Sequence, residues 1–125
     1  MCLDALGTHL LLDLKECDPD FLDDIARIKR GMISATERAG ATIVGESFHK
    51  FSPFGVTGII AIAESHLCIH TWPEHRYAAV DIFSCGSAFR PREAADLIIE
   101  LLQCAQPAIT ELPRGVIPSA TVSST

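Results

Sequence analysis

A chain of 125 residues with 48% apolar content is the size of one domain and buries about two-thirds of its unfolded surface, enough for an ordinary core. Its net charge of −6 speaks against a nucleic-acid partner, because phosphate binding requires a basic face. No apolar run approaches the roughly 20 residues of a membrane helix and the start shows no secretory pattern, so the expectation is a cytoplasmic protein without membrane association.

Residues 8–14 are mostly apolar and β-like. Asp18 then offers an N-cap with Pro19 at the first helical position, and Phe21, Leu22, Ile25, Ile28, Met32 and Ile33 recur at helical spacing. This predicts one helix, ended by Gly40. Residues 41–51 read as a strand and 52–55 as a turn. The nearly unbroken apolar run 56–63 predicts a strand buried on both faces. A further strand is expected over 77–85. Pro91 opens a second helix with Ala94, Leu97, Ile98, Leu101 and Leu102 inward, and residues 108–112 suit a last strand. The small, polar tail 118–125 is expected to fray.

The order β-α-β-β-β-β-α-β predicts an α+β two-layer sandwich, a mostly antiparallel sheet with two helices on one face. Two helices leave the other face uncovered. The doubly apolar central strand favours a partner there, so at least a dimer is expected. Five cysteines (Cys2, Cys17, Cys68, Cys85 and Cys104) are odd in number and widely spaced. They read as free thiols of a reducing compartment, by default small buried hydrophobes.

The chemistry concentrates in one run, Ala63-Glu64-Ser65-His66-Leu67-Cys68-Ile69-His70-Thr71-Trp72-Pro73-Glu74. It sets a hydroxyl, two imidazoles, a thiol and two carboxylates within twelve residues. On an unbroken strand His66, Cys68, His70 and Trp72 share one face and Ser65, Leu67, Ile69 and Thr71 the other. Ser65 and His70 then point apart, and their cooperation requires a turn, a bulge or a cut between them. From the residues alone three readings stand. One is a working site; another is a zinc site of His66, Cys68 and His70 with His75 or Cys85. The third is a core strand with satisfied histidines.

From residue 48 to 86 the sequence FHKFSPFGVTGIIAIAESHLCIHTWPEHRYAAVDIFSCG resembles the short prokaryotic S-adenosylmethionine decarboxylases almost throughout. It carries ESH, HTWPE, YAAVD and a closing Ser-Cys-Gly in order, and the opening GTHLLLDL is similar too. The resemblance implies a self-processing proenzyme without a metal. The Ser65 hydroxyl attacks the Glu64 carbonyl, the chain divides into 1–64 and 65–125, and Ser65 becomes a pyruvoyl cofactor. The histidine matching His70 is the processing base, suited by titrating near neutrality, and the hydroxyl of Thr57 supports that step. The thiol of Cys85 returns a proton to the substrate. Phe51 stacks on the adenine and Glu74 accepts hydrogen bonds from the ribose hydroxyls, while Trp72 reads as core packing. The substrate is S-adenosylmethionine, the product the aminopropyl donor for spermidine, and the assembly a homodimer with the site at its interface. Phe54, Arg76 and Cys68 depart from the family pattern, which commonly has a polar residue, glycine and threonine there. Two alternatives accompany this reading: a pyruvoyl decarboxylase of arginine or ornithine on the same fold, and an unprocessed, non-catalytic regulatory paralogue.

Overall fold

Six stretches of alternating or edge-type sequence fold into strands, and they join one sheet. The computed structural model describes residues 5–86 and 88–117; the tail expected to fray lies outside them. In chain order the elements are β1 (Ala5–Lys15), α1 (Pro19–Leu22), α2 (Ile25–Arg38), β2 (Ile43–Lys50), β3 (Val56–Ile62) and β4 (Ser65–Trp72). A 3-10 turn (Pro73–His75), β5 (Tyr77–Ser84), α3 (Pro91–Leu101) and β6 (Gln106–Val116) follow. The six strands lie in the order β2-β3-β4-β5-β1-β6, each antiparallel to its neighbour. The anticipated α+β sandwich with an antiparallel sheet is what forms.

Period-two alternation selects the covered face. Leu10, Leu12 and Leu14 of β1, Leu67 and Ile69 of β4, and Ala78, Val80 and Ile82 of β5 are buried with Ile28 and Met32 of α2 and Ile98 of α3. Each such Leu or Ile contributes about 1.5–3 kcal/mol on burial. The two long helices approach closely because Gly31 has no side chain: a Cβ there would sit 2.3 Å from Leu101 Cδ2. Among the described residues no helix is long and apolar enough to cross a membrane.

Three details differ from the sequence expectation. The single helix predicted from Asp18 is two, broken at Asp23–Asp24, so the sheet carries three helices. Aspartates favour caps over helix interiors, because their carboxylates compete for backbone N–H groups. Asp24 caps α2 by accepting the Arg27 N–H at 3.1 Å. Asp23 accepts the Gly55 N–H at 2.9 Å and pairs with Lys50 at 3.0 Å, which ties the break to the β2–β3 turn.

Strand β3 is buried on one face only: Val56, Ile60 and Ile62 are inside, whereas Ile59 is 46% exposed on the opposite face. Strand β6 is longer than residues 108–112, pairing with β1 from Gln106 to Val116. It is a mostly exposed edge strand, where Pro107 and Pro113 cost little because one edge has no ladder partner among the described residues.

Candidate active site

Strands β3 and β4 are joined by the two-residue loop Ala63–Glu64, with Ile62 opposite Ser65. Glu64 takes a left-handed backbone, φ +73°, which costs an L-residue about 1–2 kcal/mol. The Ser65 hydroxyl donates to the Glu64 carbonyl oxygen in a very short contact. The same oxygen Oγ accepts the Cys85 N–H at 2.9 Å, and Cys85 Sγ lies 3.7 Å from it. The Cys85 thiol also donates to the Glu64 carbonyl, which therefore has two donors drawing on it.

The end of β5 supplies these groups. Ser84 is the last, buried residue of the strand, and Cys85 and Gly86 turn away from the sheet beside the β3–β4 loop. Gly86 has φ +93°, and a Cβ there would come 2.8 Å from the Glu64 carboxylate oxygen Oε1. Only glycine combines that backbone with that close approach.

Two cavities flank Cys85 and Gly86. One of about 390 Å³ is bounded by Thr42, Glu64, Cys85 and Phe89. The other, about 460 Å³, shares Cys85, Gly86 and Phe89 and continues to Arg90, Arg92 and Glu111. Both are in the size range of small-molecule sites.

The other expected site residues gather at the far end of β4. Thr57 and His70 are opposed on β3 and β4, and Thr57 Oγ1 hydrogen-bonds His70 Nδ1 at 3.1 Å. Trp72 is 41% exposed beside His70 and Tyr77, so it is not the core packing predicted for it. Phe51 is 47% exposed with its ring centroid 4.5 Å from that of His49, and Glu74 is exposed in the 3-10 turn.

Strand β4 runs unbroken from Ser65 to Trp72. Ser65 and His70 thus lie on opposite faces, roughly 16 Å apart along the strand. The structure joins Glu64, Ser65 and Cys85, joins Thr57 and His70, and holds these two groups apart within one chain.

The zinc rival finds no grouped ligands among the described residues. His66, Cys68 and His70 share a face, yet among the described residues no three His, Cys, Asp or Glu side chains are grouped to hold a metal. Burial, reinforced by Asp81, pushes the Cys68 thiol up, as for an inert thiol. The Tyr77 hydroxyl, donating to Asp13 and partly buried, is pushed up to about 12 and stays protonated. Sequence reasoning missed two contributors, the backbone N–H of Cys85 and Gly86. Gly86 carried a signal as a glycine directly after a strand-terminal cysteine. An N–H carries none.

Fold and site together define an α+β sandwich in which a serine hydroxyl is hydrogen-bonded to the carbonyl of the residue before it. A sequence model described as S-adenosylmethionine decarboxylase matches residues 8–115, and the chain belongs to that family. It is 51% identical over 113 residues to the S-adenosylmethionine decarboxylase proenzyme of Thermodesulfovibrio yellowstonii, covering 90% of this chain and 84% of that one. The proenzyme of Moorella thermoacetica is 47% identical over 113 residues, 90% of each chain. The crystal structure of the adenosylmethionine decarboxylase from Aquifex aeolicus VF5 superposes with a TM-score of 0.87 at 33% identity. That match covers 97% of this chain and 98% of that one.

Proposed function

We propose that this protein cuts itself between Glu64 and Ser65 and then decarboxylates S-adenosylmethionine with a pyruvoyl group made from Ser65. The observation that carries the reading is the Ser65 hydroxyl held against the Glu64 carbonyl, with the Cys85 N–H and thiol beside both.

The cut balances without an outside reagent other than water. Ser65 Oγ adds to the Glu64 carbonyl carbon, the C–N bond breaks, and the amide becomes an ester with a free Ser65 amine. Loss of the Ser65 α-proton expels Glu64 as a carboxylate. The enamine left behind takes up water and releases ammonia, leaving a ketone at the head of chain 65–125 and Glu64 at the end of chain 1–64. The Cys85 thiol donating to the Glu64 carbonyl stabilises negative charge as it develops on that oxygen, while the Ser65 hydroxyl proton passes to the departing amine. The left-handed Glu64 backbone is strain that scission relieves.

The residues present suit such a group, since the hydroxyl that generates it already lies against the carbonyl group it must attack. Once formed, the pyruvoyl ketone supplies the electron sink for loss of carbon dioxide. The thiol of Cys85, at the former hydroxyl, holds the proton that returns to the substrate α-carbon. The adjoining cavities receive the rest of the substrate. The product is the aminopropyl donor for spermidine.

His70, Thr57, Phe51 and Glu74 enter from a second copy. A two-fold axis perpendicular to the strands sets the His70 end of one sheet against the Ser65 end of its partner. Support comes from the Ser65–His70 separation and from the helix-free face, where Ile59, Trp72 and Leu112 are 40–46% exposed. The working enzyme is thus a homodimer of processed protomers, acting on a small molecule in the cytoplasm.

The direct test is intact mass under denaturing, reducing conditions. Two fragments divided after Glu64 are expected, the second about 17 Da lighter than a serine-headed chain because an ammonia has left. Ser65→Ala should remain one chain without decarboxylase activity. A wild-type protein that stays whole, or a cleaved Ser65→Ala variant, overturns the proposal.

A further inference from the structure

We propose that Cys17 and Cys104 form a reversible disulfide that fastens the two chains of the processed enzyme to one another. The fastening, though not the disulfide itself, rests on the self-cutting proposed above.

The two cysteines face each other by register. The β1–β6 ladder ends with Lys15 opposite Gln106. One step further the Ala105 N–H donates to the Glu16 carbonyl at 3.2 Å, so the chains are still paired, and the next opposed positions are Cys17 and Cys104. On the other side the Asp18 N–H donates to the Leu102 carbonyl, also at 3.2 Å. Hydrogen bonds between the same two segments therefore bracket the pair. The far bond, Asp18 to Leu102, is one residue out of step with the ladder, so the two segments stay close around Cys17 and Cys104 without continuing its regular geometry.

Both thiols are held at this strand end: Cys17 Sγ donates to the Leu14 carbonyl at 3.4 Å and Cys104 Sγ to the Lys15 carbonyl at 3.0 Å. Burial, the Cys104 thiol and a hydrogen bond to it push Cys17 up to about 12, so its thiol stays protonated. Cys17 is 1% exposed and Cys104 is partly open, which assigns them an order of reaction.

Cys104, as its thiolate, attacks one sulfur of a low-molecular-weight disulfide and releases one small thiolate. Cys17 gives up its proton, and its sulfur displaces the second small thiolate from Cys104. The protein has lost two hydrogens as a disulfide forms, and the small disulfide has been reduced to two thiols.

The position of the pair gives the bond its consequence. Scission after Glu64 leaves Cys17 on chain 1–64 and Cys104 on chain 65–125, with no backbone between them. In a reducing compartment the clasp stands open; oxidation closes it and makes the processed protomer one covalent unit. Neither cysteine belongs to the Ser65–Cys85 site, so closing the clasp leaves the chemistry in place.

The test treats the purified enzyme with oxidised glutathione and alkylates the remaining thiols in denaturant. Mass is then read before and after reduction, and the linked peptides are mapped. One species is expected, about 2 Da below the sum of the two fragments, falling apart into both on reduction. The link should map to Cys17–Cys104 and vanish in Cys104→Ser. Cys17→Ala, which buries no hydroxyl, provides the second variant. Fragments that stay separate, a glutathione adduct on Cys104 in place of a link, or a link mapped to other cysteines each overturn the proposal. If the cutting proposal alone is wrong, the oxidised chain stays single after reduction, while the mapped Cys17–Cys104 link and the loss of about 2 Da remain.

Discussion

Glu64 is held at φ +73° on one side of the scissile bond, and Ser65 on the other side has its hydroxyl on the Glu64 carbonyl. Gly86 leaves room for the Glu64 carboxylate at a backbone angle that other residues rarely adopt. Gly86→Ala is therefore expected to displace that carboxylate and slow scission, leaving a larger uncut fraction in the intact mass at matched times. Cys85→Ala retains the N–H that holds Ser65 Oγ but loses the thiol. It should still cut, at least in part, yet release labelled carbon dioxide about 10²–10⁴-fold more slowly, the usual weight of a general acid. Wild-type turnover would remove Cys85 from the mechanism. Phe51→Ala should raise KM for S-adenosylmethionine roughly tenfold, as for a lost stacking partner; an unchanged KM would favour a substrate without adenine. Arg76, where the resemblance leads one to expect glycine, adopts φ +52° and bears the cost of that backbone. Arg76→Gly should stabilise the fold or leave it unchanged against urea, since the relieved strain opposes glycine's greater entropy in the unfolded chain.

Between elements, a few polar contacts join what apolar burial alone would leave adjustable. The buried Thr71 hydroxyl accepts the Val56 N–H at 2.8 Å and donates to the Leu22 carbonyl at 2.7 Å, locking α1, β3 and β4 together. Asp23 performs the same service between the helix break and the β2–β3 turn. The Gly55 N–H, and after it Lys50, hold its carboxyl below the ordinary carboxylate range. A depressed folded pKa stabilises the fold above the unfolded value, about 3.9, and that contribution is lost as pH falls through the lower folded value. Asp23→Asn should accordingly be less stable than wild type at pH 7, and the gap between their urea midpoints should close below about pH 4. A gap that is the same at both pH values would show that the carboxylate charge is not what matters. The edge strand β6 makes the opposite point: its exposed residues show no alternation, and only pairing with β1 defines it.

For the whole molecule, the decisive geometry is the distance along β4 between Ser65 and His70. In the proposed dimer, neither residue completes a processing site in its own chain. Ser65→Ala and His70→Ala, each expressed alone, should remain uncut. Co-expressed, they should cut the His70→Ala chain, because a mixed dimer joins its intact Ser65 to the partner's intact His70. Failure to cut in the mixture, with dimers demonstrated, would require His70 to act within its own chain after a rearrangement of β4. An Ile59→Asp change on the helix-free face should shift the protein towards monomer by light scattering and raise the uncut fraction in parallel.

The sequence by itself determined the periodic elements and the residues proposed to carry the chemistry. Alternation in β1 and β5 and the helical spacing of α2 and α3 mark which residues turn inward, because burial of apolar surface is their common cause. The run around Glu64–Ser65 and, through the family resemblance, Cys85 could be singled out from the sequence, and these residues are in contact in the fold; the opposition of Ser65 and His70 on a strand of period two could be read there too. The tertiary structure alone decided where those groups stand relative to one another. The break at Asp23–Asp24 depends on Gly55 and Lys50, which reach the carboxylate through the fold. The polarised Glu64 carbonyl depends on the end of β5 meeting the β3–β4 loop, and the facing of Cys17 and Cys104 on register between strands at opposite ends of the chain. Periodicity is local and can be read along the chain; contacts between distant segments arise only when the sheet closes.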